Sequence, residues 1–270
     1  MSEGYIPADR QARIQKMIQE KGIVKVGELS KLFGVTELTI RRDLDVLEAQ
    51  GILDRTHGGA ILRHRVRIEP LYSEKDQIHR EEKELIGRAA AKFVEEGDTL
   101  LINTGSTITH VLQNLSGTQL RVITSNAGAV VQVKDPNIEL ILTGGVFRRQ
   151  SNSLIGGFAQ SILQQVCGSK AIIGIDGVSL QFGLTTPIYQ EAEIGRTMIE
   201  RTQGPVIVVA DHSKMGVVSN FVTAPISSVS MLITDSKIEP DFVKELQDRD
   251  IEVVIAEELL ATDTEKQTQP

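Results

Sequence analysis

VGELSKLFGVTELTIRRDLDVLEAQGILDRTHGGAIL, residues 26–62, is the stretch that decides the fold of the N-terminal part of the chain. In its first half, Leu29, Leu32 and Phe33 recur at positions i, i+3 and i+4, which is the spacing of a short amphipathic helix. Gly34 follows at the position that favours a left-handed C-cap. We therefore predict a first helix that ends at Gly34.

A second helix is predicted to begin after Thr36, whose side-chain oxygen suits an N-cap. Ile40, Leu44 and Leu47 share one buried face at about 100° per residue, and Asp43 is expected to face solvent or to orient neighbouring arginines. The opposite face fits the major groove, where arginine reaches guanine or phosphate and an apolar group contacts the thymine methyl. The residues predicted to contact DNA from this helix are Thr36, Glu37, Leu38, Thr39, Arg41 and Arg42.

The run ILDRTHGGAIL has the pattern of a short β-hairpin, or wing. Gly58 and Gly59 permit the positive φ of a tight turn. Arg55 and His57 lie at the predicted tip, where we expect them to contact phosphate or the minor groove while the second helix occupies the major groove.

Periodicity alone leaves two other interpretations open, a small helical bundle and a winged helix that binds protein. The segment resembles the N-terminal domain of the DeoR family of bacterial transcriptional regulators. The matching elements are TIRRDL at 39–44, Leu47-Glu48, Gly51 and HGGA at 57–60. The resemblance implies a winged helix-turn-helix that binds double-stranded operator DNA.

The 270 residues, with 40% apolar and 24% charged side chains, have the composition of a soluble globular protein with room for two domains. No run of about 18 apolar residues occurs, and the N-terminus lacks the pattern of a signal peptide, so we expect a cytoplasmic protein without membrane contact. The single cysteine, Cys167, is expected to be a small buried apolar residue. The five histidines lack metal-ligand spacing, so neither a metal nor a cofactor is expected.

The net charge of −7 is unevenly distributed. Residues 1–67 hold 12 Lys+Arg and 9 Asp+Glu, a net of +3, whereas residues 68–270 hold 17 and 27, a net of −10. Only the N-terminal part is therefore suited to the phosphates of DNA, although a solvated basic face is the alternative.

The chain divides by its pattern into two domains. Residues 10–21 place Ile14, Met17 and Ile18 on one helical face, which adds a first helix to the DNA-binding module. From Asp98 onward, short runs of Val, Ile and Leu alternate with helices, as in an α/β domain with a mostly parallel sheet. The predicted boundaries are a winged helix-turn-helix domain over 5–62, a linker over 63–80, a larger α/β effector-binding and oligomerisation domain over 81–258, and a polar tail over 259–270.

Small polar residues follow several of the predicted strands, and open α/β sheets bind ligands beyond the carboxyl ends of their strands. TGST at 104–107 opens a helix whose backbone N–H groups favour an anion, although a capped helix start without ligand is an equal alternative. TSN at 124–126, TGG at 143–145, IDG at 175–177 and ADHSK at 210–214 follow other strands. We expect these five loops to converge on one cleft.

This region resembles the effector-binding domain of the DeoR family, which is related in fold to ribose-5-phosphate isomerase and the CoA-transferase group. The resemblance implies that Asp176 and Glu191 accept sugar hydroxyls and that Lys214 adds positive charge near a phosphate. Arg148 and Arg149 are further candidates, with a solvated or dimer-interface role as the alternative. The predicted effector-binding residues are Thr104, Gly105, Ser106, Thr107, Ser125, Asn126, Gly144, Gly145, Asp176, Glu191 and Lys214.

The isomerase comparison raises an alternative function, a sugar-phosphate isomerase-like enzyme, which needs a general base and groups that stabilise an enediolate. The lysine of the isomerase stretch is absent, and Ser179 stands where its second acid is expected. We therefore expect a site that binds without turnover, and no enzyme. The sequence predicts a homo-oligomeric transcriptional regulator, a repressor of a carbohydrate-use operon that a phosphorylated sugar releases from its operator.

Overall fold

The computed structural model describes residues 7–21, 23–49, 52–55, 58–62, 71–117 and 119–259. The chain forms two compact units, Met1–Arg67 and Ile68–Pro270. Several predictions lie outside the described residues: the contact by His57, the linker over 63–70, and nearly all of the polar tail.

The N-terminal unit is a three-helix core with a small antiparallel sheet. Its elements are α1 Pro7–Lys21, β1 Ile23–Lys25, α2 Val26–Phe33, α3 Glu37–Ala49, β2 Leu53–Arg55 and β3 Gly59–Leu62. The strands lie in the order β1-β3-β2. The predicted apolar faces of the helices meet in one core, which includes Ile14, Leu29, Ile40, Leu44 and Leu47. The winged helix-turn-helix is therefore present, with β1 as a strand that was not predicted.

Glycine is needed at two positions of this unit for different reasons. Gly34 caps α2 with a φ of 64°, in the left-handed region, as predicted. Gly59 lies in β3, and its φ is not positive, so the positive φ that glycine permits is not used at this position. A Cβ at Gly59 would lie 1.9 Å from the carbonyl oxygen of Val24, so the close approach of β1 excludes any side chain.

Of the two expectations for Asp43, exposure to solvent was wrong, whereas contact with an arginine is observed. Its carboxylate is buried, and it accepts hydrogen bonds from Arg10 Nε at 2.5 Å, Arg10 Nη2 at 3.2 Å and Gln11 Nε2 at 2.9 Å. Asp43 therefore joins α3 to α1 through a buried ion pair.

The C-terminal unit alternates strands and helices. Its first half contains α4 Tyr72–Gln77, α5 Arg80–Ala91, β4 Thr99–Ile102, α6 Ser106–Asn114, β5 Arg121–Thr124, α7 Ala129–Gln132, β6 Glu139–Leu142, β7 Val146–Arg148, β8 Ser153–Ile155 and α8 Gly157–Leu163. Its second half contains β9 Lys170–Gly174, β10 Gly177–Ser179, β11 Gly183–Thr186, α9 Tyr189–Glu200, β12 Val206–Val209, β13 Phe221–Ala224, β14 Met231–Thr234, α10 Pro240–Gln247 and β15 Glu252–Ile255. Two 3-10 turns lie at His212–Lys214 and Ile226–Ser228.

A seven-stranded sheet forms the centre of this unit, in the order β15-β14-β12-β9-β4-β5-β6, and all of its strand pairs are parallel. Successive side chains of a strand point to opposite faces. Leu100 and Ile102 pack in the core that contains Ile86 of α5 and Ile108 of α6, whereas Leu101 packs in the core with Ala159 of α8. Helices therefore cover both faces, as the continuous apolar strands predicted.

Two small antiparallel sheets were not predicted, β10-β11-β13 and the hairpin β7-β8. The linker predicted over 63–80 extends too far, because Tyr72–Gln77 is helical and packs against α6. Cys167 is exposed, so its predicted burial was wrong; it accepts a hydrogen bond from Arg201 Nη2. Among the described residues, no helix is both long and apolar enough to cross a membrane.

Candidate effector site and DNA-binding face

The candidate effector site lies at the junction between β4 and β9 of the parallel sheet, where the strand order reverses. From β4 the chain proceeds through β5 to β6 at one edge, whereas β9, the other neighbour of β4, leads through β12 and β14 to β15. Asn103 follows β4, and its Nδ2 donates to the carbonyl of Gly174 at the end of β9 at 2.8 Å. The Gly174 N–H donates back to Asn103 Oδ1 at 2.8 Å. Ligands of open α/β sheets bind at such a reversal point, beyond the strand ends.

A cleft of about 380 Å³, including space open to solvent, lies at this point. Its polar lining residues are Asn103, Thr104, Ser125, Ser153, Asp176, Thr186, Glu191 and Thr223. The structure thus brings together four residues of the predicted set, Thr104, Ser125, Asp176 and Glu191. It adds four that the sequence analysis missed.

The helix α6 begins at the edge of the cleft. Gly105 precedes it with a φ of 151°, and the side chains of Ser106 and Thr107 in its first turn are buried. The Thr104 hydroxyl donates to the carbonyl of Ser151 at 3.3 Å, which holds this loop against the loop before β8. The first N–H groups of a helix lack intrahelical partners and attract an anion.

Asp176 lies opposite and is tied by two side chains. Lys75 Nζ of α4 lies 2.7 Å from Asp176 Oδ1, and the Thr186 hydroxyl donates to Oδ2 at 2.9 Å. Burial is the largest influence on the pKa of Asp176 and raises it, but Lys75, Lys214 and the Thr186 hydroxyl together lower it by more. The pKa of this carboxyl therefore lies below its ordinary value, and the group is ionised at neutral pH.

Glu191 lies in the first turn of α9 and also lines the cleft. Its Oε1 accepts a hydrogen bond from the Ser153 hydroxyl at 3.0 Å and lies 3.6 Å from Arg148 Nη1. Arg148 Nη1 also donates to the Ser151 hydroxyl at 2.9 Å. Arg148 is therefore an ion-pair partner of a cleft carboxylate.

Several buried polar atoms at the cleft lack a partner. Among the described residues, Ser125 Oγ, Thr223 Oγ1 and Asn126 Nδ2 have no hydrogen-bond partner, although these residues are at most 2% exposed. Ser125 and Thr223 line the cleft. Buried polar groups in proteins are normally hydrogen-bonded, so these hydroxyls are available to a polar ligand or to water.

The remaining predicted residues lie outside the lining. Gly144 and Gly145 are exposed, with φ values of 65° and 105°. A Cβ at Gly145 would lie 2.5 Å from the carbonyl oxygen of Ile155, so this glycine is required by the packing of the backbone. Lys214 ends a 3-10 turn and acts on the cleft through its charge, by lowering the pKa of Asp176.

The predicted DNA-reading face of α3 is solvent-accessible at its centre. Thr36 Oγ1 accepts a hydrogen bond from the Thr39 N–H at 3.3 Å, as an N-cap does. Leu38 is 60% exposed, and Arg42 is exposed. Arg41 Nη2 lies 3.6 Å from a carboxylate oxygen of the exposed Glu37.

Arg55 was predicted to lie at the wing tip and to contact phosphate or the minor groove, but it ends β2 and its side chain is bound to α3. Its Nη1 donates to the carbonyl of Arg41 at 2.9 Å and to Asp45 Oδ1 at 2.9 Å, and its N–H donates to Glu48 Oε1 at 3.0 Å. Arg55 therefore anchors the wing to α3.

Two family models match the chain. One, described as the DeoR C terminal sensor domain, matches residues 78–236, and the other, the DeoR-like helix-turn-helix domain, matches residues 10–66. The chain belongs to the DeoR family. This DeoR-family protein is a DNA-binding transcriptional regulator whose helix-turn-helix unit precedes a sensor domain.

Similar regulators match this DeoR-family protein over nearly their whole length. The regulator GolR of Listeria innocua is 34% identical over 256 residues, which cover 93% of this chain and 99% of GolR. The regulator GlpR of Haloferax volcanii is 31% identical, with 92% and 98% covered. The transcriptional repressor CsqR of Escherichia coli K12 is 28% identical, with 92% and 95% covered.

Solved structures of lower similarity also match. Ribose 5-phosphate isomerase A of Methanocaldococcus jannaschii has a TM-score of 0.36 and 16% identity, with 51% of this chain and 55% of that chain covered. The translation initiation factor eIF-2B of Pyrococcus horikoshii has a TM-score of 0.38 and 13% identity, with 78% and 68% covered. Such scores are too low to support an argument about fold or function.

Proposed function

We propose that this DeoR-family regulator is a repressor of a carbohydrate-use operon and that a phosphorylated sugar, bound in the sensor domain, releases it from its operator. One observation carries the proposal. The cleft at the reversal point of the parallel sheet combines a helix N-terminus, which suits a phosphate, with two carboxylates, which suit sugar hydroxyls. The naming of CsqR as a repressor supports the sign of regulation.

The chemistry of the cleft assigns a part of the effector to each side. The N–H groups at the start of α6, with the hydroxyls of Thr104, Ser106 and Thr107, bind the phosphate. Asp176 and Glu191 accept hydrogen bonds from sugar hydroxyls. Of the remaining residues of the predicted set, Ser125 lines the cleft and supplies a further contact. The others lie outside the lining: Gly105, Asn126, Gly144, Gly145 and Lys214.

The exposed face of α3 reads the operator in the major groove. Arg42 and Leu38 contact base edges. The wing residues Arg55 and His57 contact the phosphate backbone of the DNA, and Arg55 also holds the wing against α3. The N-terminal unit carries a net charge of only +3. A homo-oligomer that presents two such units to two half-sites doubles the electrostatic attraction to DNA, and we propose that the protein acts as one, in the cytoplasm.

Binding without turnover is favoured over the isomerase-like alternative by the state of the carboxylates. A general base at neutral pH works best with a pKa near 7. The pKa of Asp176 is instead below its ordinary value. The carboxylate of Glu191 accepts a hydrogen bond from Ser153 and faces Arg148. Asp176 is thus suited to hold a hydroxyl rather than to remove a carbon-bound proton.

Calorimetric titration of the full chain tests the effector part of the proposal. Pentose and hexose monophosphates are compared with the unphosphorylated sugars and with inorganic phosphate. At least one sugar phosphate is expected to bind more tightly than both of its parts. Glu191→Gln is expected to weaken that binding about tenfold or more, because hydrogen bonds to charged groups contribute about 1.5–3 kcal/mol.

Glu193→Gln is the matched control, since Glu193 lies on the same helix and its carboxylate accepts a hydrogen bond from the exposed Tyr189 instead of facing the cleft. It is expected to bind as the wild type does. Equal affinity in the Glu191 variant and the wild type would remove Glu191 from the site. Turnover of a bound sugar phosphate by the wild type would support the isomerase-like alternative.

A further inference from the structure

Helix α4 is attached to the effector cleft by polar contacts. The Tyr72 hydroxyl hydrogen-bonds the Thr109 hydroxyl of α6, and the Tyr72 N–H donates to the carbonyl of Gln150 at 2.8 Å. Lys75 Nζ reaches Asp176 at 2.7 Å. One partner, Asp176, is a carboxylate of the cleft, and another, Thr109, belongs to α6, whose N-terminus borders the cleft. The third, Gln150, is adjacent to Ser151, which Thr104 contacts.

Apolar burial contributes little to this attachment. All six residues of α4 are described, and none is buried. The flanking apolar residues Leu71 and Ile78 are 49% and 52% exposed. Elements with few buried apolar contacts open at low free-energy cost, so the position of α4 depends on its polar partners.

A second position of α4 is suggested by a pair of polar atoms on α4 and α6 that lie just beyond hydrogen-bond distance. Asp76 Oδ1 lies 3.7 Å from His110 Nε2 on α6. Among the described residues, neither atom has a hydrogen-bond partner, although both are buried. A shift of α4 by roughly 1 Å toward α6 would bring this pair to hydrogen-bond distance. The observed position thus leaves one buried polar pair unsatisfied while Lys75 holds Asp176.

The covalent connection gives α4 its importance. Residues 63–71 join β3 of the DNA-binding unit to α4. A displacement of α4 therefore displaces the end of the sensor domain to which the DNA-binding unit is covalently connected.

We propose that Lys75 is an effector-binding residue and that its exchange of partner, from Asp176 to the phosphate of the effector, is the step that transmits binding to the DNA-binding unit. This inference rests on the proposed function. A sugar phosphate brings hydroxyl donors, which replace Lys75 on Asp176, and an anion, which attracts the freed ammonium. Lysine suits this exchange because its charge lies on a flexible four-carbon stem. Release of the Lys75–Asp176 pair lets α4 leave the position that favours operator binding.

Breaking the pair by mutation should therefore imitate the effector. Lys75→Met and Asp176→Asn are each expected to raise the operator dissociation constant of the full chain about fivefold or more without any sugar phosphate, which is the lower range of allosteric coupling. The exchange variant Lys75→Asp with Asp176→Lys restores the pair and is expected to return within about twofold of the wild type. Lys134→Met, an exposed lysine elsewhere in the sensor domain, is the control and is expected to change nothing.

Hydrogen exchange tests the same step without DNA. Amides of residues 72–77 are expected to exchange about fivefold faster in Asp176→Asn than in the wild type or in Lys134→Met, while the amides of β4 and β9 stay protected and report an intact fold. Wild-type operator affinity in both single variants, or wild-type exchange in α4, would overturn the inference. An exchange variant no better than the singles would also overturn it.

These measurements contain no sugar phosphate, so they separate the two proposals. A wild type that no sugar phosphate releases from the operator would overturn the proposed function. A wild type that is released, beside single variants that bind the operator normally, would overturn only the role of Lys75.

Discussion

Replacement of Asp43 by alanine is expected to destabilise the DNA-binding unit far more than replacement of its neighbour Asp45. Asp43 accepts three hydrogen bonds from α1, two of them from Arg10, and the side chains of Arg10 and Asp43 are 7% and 5% exposed. Asp43→Ala removes the buried carboxylate of this ion pair and all three hydrogen bonds that it accepts from α1. Breaking a buried ion pair in this way costs about 3–5 kcal/mol.

The net magnitude follows after a correction for the helix. Alanine is a better helix former than aspartate by about 0.5 kcal/mol, which leaves a net loss of about 2.5–4.5 kcal/mol in Asp43→Ala. Asp45 pairs with Arg55 at 2.9 Å, but its side chain is 63% exposed. Such exposed pairs contribute up to about 1 kcal/mol, so the loss in Asp45→Ala is close to zero after the same correction.

Hydrogen exchange of the full chain measures the difference at the right place. Amides of the buried face of α3, near Ile40 and Leu44, are expected to exchange about a hundred- to a thousandfold faster in Asp43→Ala, since each 1.4 kcal/mol is a factor of ten. The parallel sheet of the sensor domain serves as the internal reference. Equal exchange in α3 of the Asp43 and Asp45 variants would refute the reasoning.

Three further outcomes are expected. Arg42→Ala should cost about 1–3 kcal/mol of operator affinity and relax the preference at one base pair, whereas an even loss across operator variants would assign Arg42 to a phosphate. Ser106→Glu should abolish the response to the sugar phosphate, because a like charge occupies the phosphate position; a retained response would exclude this loop. Burial raises the pKa of Asp98. Hydrogen bonds from Lys170, the Glu95 N–H and the Ser169 hydroxyl lower it by more, so the pKa lies below the ordinary 3.8. The unfolded chain then binds the proton first, so this stabilisation is full above pH 3.8 and is lost as pH falls through the lower folded pKa. As the pH falls below about 4, the denaturant midpoint of Asp98→Asn should therefore decrease less steeply than that of the wild type. An equal decrease in the two proteins would contradict this prediction.

Elements whose pattern is local could be predicted from the sequence. Each of the seven strands of the parallel sheet contains at least two adjacent Val, Ile or Leu residues, as in RVIT and VIVV, because both faces of the sheet are covered. The antiparallel strands of the C-terminal unit were missed because they are short and several are polar, as in GVS and GLTT. Such runs show neither alternation nor continuous apolarity.

Some residues of the site could be predicted from their position after a strand in the sequence, whereas others are brought to the site only by the tertiary structure. Thr104, Ser125 and Asp176 come directly after strands, where parallel sheets place their ligands. Lys75 meets Asp176 from 101 positions away, and Asp43 meets Arg10 from 33 positions away. No period or spacing links such partners. A lysine in a polar segment was therefore interpreted as part of a linker, and an aspartate on a helix was expected either to face solvent or to orient neighbouring arginines.

The central claim, a DNA-binding regulator that answers to a phosphorylated sugar, is tested most directly by an electrophoretic shift. The full chain is titrated onto DNA from upstream of its own and neighbouring genes at fixed moderate salt, with and without each of a set of sugar phosphates, because protein–DNA affinity depends on salt. The account predicts a sequence-specific shift that one phosphate ester reverses and that its unphosphorylated sugar leaves intact. A specific shift that no sugar phosphate changes, in a protein whose cleft binds none of them, would contradict it.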